Sequence, residues 1–90
     1  MPCYYLHVHC DGEVIRDIEG HQFASLNAAR IEAVRSVRSL AAADIAQGEL
    51  RLDLAIEIVD RAGTPRARVG FDDAVRTVSA PWDSSSANDA

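Results

Sequence analysis

The chain has 90 residues, 48% hydrophobic and 26% charged, with a formal net charge of −5. That length allows one domain with one modest core, and it excludes most self-contained catalytic architectures, because a chain this short buries only about 60–65% of its extended surface. The acidic balance disfavours non-specific contact with phosphate backbones and anionic headgroups, so neither nucleic acid nor membrane is an expected partner. The basic residues are all Arg, read mainly as coding bias rather than as a device for pairing anions. No stretch offers the roughly 20 apolar residues that span a bilayer, and no leader pattern is present at Met1. The expected location is therefore cytoplasmic, where Cys3 and Cys10 stay reduced.

Cys3 to Cys10 is rich in aromatic and β-branched residues and reads as a strand. Its alternation places Tyr4, Leu6 and Val8 on one face and Cys3, Tyr5, His7 and His9 on the other. Asp11-Gly12 tolerates positive φ and predicts a tight hairpin into a weaker second strand, Glu13 to Ile18. After a break at Gly20, Ser25 is a helix N-cap and Leu26 to Ala46 an amphipathic helix. Leu26, Ala29, Ala33, Val34, Val37, Leu40 and Ala41 form its apolar stripe, and Gly48 stands at the C′ position.

Leu50, Leu52, Leu54, Ile56 and Ile58 then alternate strictly with other residues, which predicts a half-buried strand and places all five at the centre of the core. Asp60 to Pro65 carries turn chemistry, and Arg66 to Phe71 is a fourth strand. Asp72-Asp73 either caps a short helical turn or simply leaves the sheet. Beyond Val78 the residues are small and polar around an isolated Trp82, which predicts a flexible tail over 79–90 following a single domain over 1–78. The expected fold class is α+β: a four-stranded antiparallel sheet in ββαββ order, with one long helix packed on one face.

Several segments together resemble a known family. They are Tyr4-Tyr5-Leu6-His7, Asp11-Gly12, Ile15, Asp17, Glu19-Gly20, Leu26, Ala28-Ala29-Arg30, Glu32-Ala33, Arg35 and Phe71-x-Asp73-Ala74-Val75. Their order and spacing are similar to those of a family of short bacterial, mainly alphaproteobacterial, proteins catalogued as a domain of unknown function. The resemblance spans residues 1 to about 78. It implies two hairpins around a helix and transfers no activity, cofactor or partner, while His9 and Cys10 depart from the family's usual residues.

His7-x-His9 projects two imidazoles from one strand face, and with a third ligand from Cys3 on that face they form the candidate zinc set Cys3, His7 and His9, a neighbouring strand, His21 or a second subunit being the other sources of that ligand. The competing expectation is that both histidines sit on a solvent face and meet carboxylates across the sheet, with Asp53 and Glu57 as partners. No catalytic set assembles. Neither cysteine follows a strained turn at a helix N-terminus, the glycines form no phosphate loop, and Asp17/Glu19 and Asp72/Asp73 read as turn residues. Elimination leaves a small non-enzymatic interaction or regulatory module without a cofactor, meeting a protein partner or a second copy through Tyr5, His7 and His9. A zinc-binding protein is the alternative.

Overall fold

The computed structural model describes residues 1–78; the predicted tail, 79–90, lies outside the described residues. Element order is β1 (Cys3–Cys10), β2 (Glu13–Ile15), β3 (His21–Gln22), α1 (Leu26–Ala46), β4 (Ala55–Asp60), β5 (Pro65–Gly70) and α2 (Phe71–Ala74). The class is α+β with an antiparallel sheet and one long helix, as expected, but the strands among the described residues number five. Their order is β2-β1-β4-β5, with β3 also paired to β1. Among the described residues, no helix is long and apolar enough to cross a membrane.

The predicted second strand is the element that changes. Pairing runs from Cys10↔Glu13 to Val8↔Ile15, stops, and resumes at Tyr4↔His21 and Cys3↔Gln22. Residues 16–20 thus stand opposite only three residues of β1, 5–7, so this edge strand leaves the ladder with two residues to spare. Asp11 (φ 57°) and Gly12 (φ 73°) both adopt the left-handed conformation of the tight two-residue hairpin that the Asp-Gly pair predicts.

The third predicted strand is also shorter than its alternation. Strand β4 begins at Ala55, and of the five aliphatic residues only Leu54, Ile56 and Ile58 are buried; Leu50 and Leu52 are exposed. The cause is the end of α1. Gly48 (φ 85°) closes a double C-terminal lock in which its N–H donates to the Ile45 carbonyl and that of Glu49 to the Asp44 carbonyl. Asp44, a buried continuation of the apolar stripe, then receives the Arg51 guanidinium and backbone N–H. With Arg51 held at the helix end, residues 51–54 turn instead of pairing, and the Leu54 N–H donates to the Arg51 carbonyl. Hydrophobic alternation cannot report a side chain that ties the backbone elsewhere.

Ser25 caps α1, its Oγ accepting from the Ala28 N–H. The buried helix positions are Ala29, Ala33, Val37 and Ala41, with Leu26 and Val34 half-buried. Small side chains let the helix lie close over β4 and β5, where they meet Ile56, Ile58 and Val69, with Tyr4, Leu54 and Phe71 completing the core. Leu40, at the edge of that contact, is exposed. Asp72-Asp73 opens a helical turn: the Asp73 carboxylate accepts from the Gly70 N–H at 2.8 Å, and the Arg38 Nε donates to the Ala74 carbonyl, joining α2 to α1. Since Ile58 is wholly buried between sheet and helix, Ile58→Ala is expected to cost roughly 3–4 kcal/mol, readable as a lower urea midpoint with an unchanged slope.

Candidate functional site

The helix covers the face that carries Tyr4, Leu6, Val8 and Cys10, so chemistry has to be sought on the other face. There the register sets three rows across the sheet: Tyr5↔Val59, His7↔Glu57↔Arg68 and His9↔Ala55↔Gly70. Residues 16–20 divide this face into a covered half and an open half.

The covered half is built on Asp17. Its carboxylate accepts from the Leu6 N–H at 3.2 Å through one oxygen, and from the Glu19 and Gly20 N–H groups at 3.2 and 3.0 Å through the other. Its own N–H donates to His7 Nδ1 at 3.0 Å. Burial alone would push the Asp17 pKa up, but the backbone donors, with His21 nearby, hold it below the usual carboxylate value. His7 is 8% exposed beneath this loop, with the Tyr5 ring stacked 6.5 Å away. Gly20 (φ 71°) lies so close over Tyr5 that a Cβ there would sit 2.8 Å from Cε2 and 3.0 Å from Cys3 Sγ.

The open half is a groove of about 320 Å³ lined by His9, Glu13, Asp53, Glu57 and Arg68, with Cys10 and Gly12 at its end. His9 Nε2 lies 3.3 Å from Glu57 Oε1, one strand over and diagonal in register, and both side chains remain partly exposed at 40% and 34%. The Arg68 guanidinium folds over Gly70, its Nη1 occupying the space a Cβ would need. The Gly12 N–H donates to the Asp53 carboxylate at 3.2 Å, which fixes the hairpin turn at the groove's end.

The expectations for the histidines therefore separate. His9 meets Glu57, as expected for a cross-strand carboxylate, whereas His7 is buried and held by Asp17 rather than standing on a solvent face. Asp53 serves the hairpin and neither imidazole. Among the described residues, the group of metal-ligating type whose atoms converge within 4.8 Å is Cys10, Asp11 and Asp53, not Cys3, His7 and His9. Even that group has a structural role. The Arg51 Nη1 donates to Asp11 at 2.9 Å while the same guanidinium grips Asp44, and burial pushes the Cys10 thiol up, keeping it protonated. Both cysteines are free. The Asp17 hub left no trace beyond a turn-like motif; Glu13 and Arg68 were legible only through strand register.

Two outcomes are expected. Gly20→Ala combines a left-handed backbone with a clash against Tyr5, so it should lower stability by roughly 2–3 kcal/mol in denaturant unfolding. Asp17, Asp44 and Asp60 all have folded pKa values below 3.8; Asp44 owes this first to Arg51, Asp60 first to the Thr64 N–H. The unfolded chain therefore takes up protons first on acidification, and the stability these groups supply is full above about pH 5 and lost as pH falls through their lower folded values. A thermal midpoint flat in pH from about 5 down to 2 would contradict this.

No curated protein and no solved structure matches the chain. The family described as Domain of unknown function (DUF6894) matches residues 3–72, which takes in the long helix and every strand among the described residues, and the chain belongs to that family.

Proposed function

We propose that the protein is a small non-enzymatic interaction module whose contact surface is the open half of the sheet face: His9, Glu57 and Arg68, flanked by Glu13 and Asp53. The observation that supports this most directly is the groove itself, a mixed-charge depression on a sheet face that the helix leaves uncovered. Three carboxylates against one guanidinium and one imidazole suit a polar segment of a protein partner bearing cationic side chains. Tyr5 and His7, expected to share in the contact, lie in the covered half, so His9 is the member of that set left to a partner in this arrangement.

Partner contact is tested by placing a photo-crosslinking residue at position 9, 57 or 68 in cells, with position 35 on the outer face of α1 as control. A discrete adduct is expected from the three groove positions and none from the control, weakened by Glu57→Gln. Identical adducts from all four positions would remove the reading. A second copy of the chain as occupant would show as an adduct of twice the chain mass and as a dimer at high micromolar concentration by native mass measurement. For the zinc alternative, elemental analysis of untagged protein decides. We expect far less than one zinc per chain, because Cys3, His7 and His9 do not converge.

A further inference from the structure

We infer that residues 16–20 form a pH-gated flap, closed over Tyr5 and His7 while His7 is neutral and released when His7 takes up a proton. This concerns the covered half of the face and holds whatever occupies the groove.

The inference rests on hydrogen-bond direction. The Asp17 N–H can only donate, so His7 Nδ1 must carry a free lone pair and the ring hydrogen sits on Nε2. A protonated imidazole bears hydrogen on both nitrogens, and Nδ1–H would then face the Asp17 N–H, two donors with no acceptor between them. The imidazolium would seek an oxygen, and the Asp17 carboxylate belongs to the same residue. Turning it toward the ring withdraws it from the Leu6, Glu19 and Gly20 N–H groups that it now satisfies. In either case the present loop arrangement is incompatible with a charged His7.

The surroundings allow the loop to move alone. It is an excursion between two short pairings, anchored by Ile15 on β2 and His21 on β3, so it can lift without breaking the β1–β4 ladder. The charged or titratable groups on the elements about His7 are Arg16, Asp17 and Glu19 on the loop, Cys3, Tyr4, Tyr5, His9 and Cys10 on β1, Glu13 on β2, His21 on β3, Glu57 directly opposite and Asp60 on β4, and Arg66 and Arg68 on β5. Glu57 is the register partner of His7 and already pairs with His9, so an imidazolium at position 7 meets a carboxylate on the sheet side as the loop departs. Opening would uncover the Tyr5 ring and His7 beside the groove and extend the accessible face along β1.

Nuclear magnetic resonance of the full chain tests this. Long-range ¹⁵N spectra report the protonation of each imidazole, and amide exchange corrected for intrinsic pH dependence reports the Leu6, Glu19 and Gly20 N–H groups. Between about pH 8 and pH 5, where histidines commonly titrate, protection of those three amides should fall by about tenfold or more in step with His7 charging, while amides of β4 stay protected. His7→Asn keeps an acceptor without a titrating ring and should hold the loop closed across the range. Should that variant not fold, the double variant His9→Gln, His21→Gln leaves His7 as the one titrating imidazole, and its loop must still open. The inference is overturned if His7 stays neutral throughout this range, if His7 charges while the three amides keep their protection, or if the asparagine variant opens equally.

Discussion

A strand that must satisfy its backbone and yet leaves its ladder needs a substitute acceptor, and the Asp17 carboxylate supplies it. Between Ile15 and His21 the chain gives up pairing with β1, which leaves the Leu6 N–H on one side and the Glu19 and Gly20 N–H groups on the other without a strand partner. Asp17 accepts from all three, and its own N–H goes to His7. Orphaned backbone donors at a partly buried position cost about as much as a lost hydrogen bond each, so the excursion exists because this one side chain makes it affordable. From that follow the burial of His7, the close approach of Gly20 to Tyr5, and the division of the uncovered face into two unequal halves.

The opposite end of the sheet is organised by a second tie, an ion pair. Arg51 joins the C-terminus of α1, through Asp44, to the β1–β2 hairpin, through Asp11. Its guanidinium faces two carboxylates, which raises its pKa further above an already high value and holds that of Asp44 down. Because Arg51 is partly exposed, the tie acts chiefly on geometry: it sets where the chain turns before β4 and hence the register of Ile56 and Ile58 beneath the alanine stripe.

What could be read from the chain was whatever side-chain periodicity and local turn chemistry encode. Strand β1, the Asp11-Gly12 hairpin, the Ser25 cap, the full span of α1 and its Gly48 terminus all depend on neighbours within a few residues, and each stands where expected. Leu50 and Leu52 were assigned to the core because alternation is blind to Arg51, which binds a residue seven positions earlier on another element. The interrupted edge strand was read as one weak strand for the same reason. Its apolar alternation slips once, between Val14 and Ile15, but nothing local says that the chain beyond leaves the ladder to place a carboxylate on β1. His9 with Glu57 was legible because period two and antiparallel register suffice to bring them together, whereas His7 with Asp17 required knowing that the loop folds back.

The segment Asp17-x-Glu19-Gly20, by which the chain resembles its family, thus has a role that needs no ligand: one carboxylate for three amides and one glycine for a left-handed turn against an aromatic ring. That shifts the search for function away from the most recognisable residues. With that segment closing half of the sheet face, the half left open holds His9, Glu13, Asp53, Glu57 and Arg68. His9, Glu13, Glu57 and Arg68 lie on β1, β2, β4 and β5, where the ladder sets their spacing, and Asp53 lies on the turn before β4. This charged surface adjoins a loop that the Asp17 N–H ties to His7 Nδ1, so the open and covered halves of the face meet along β1.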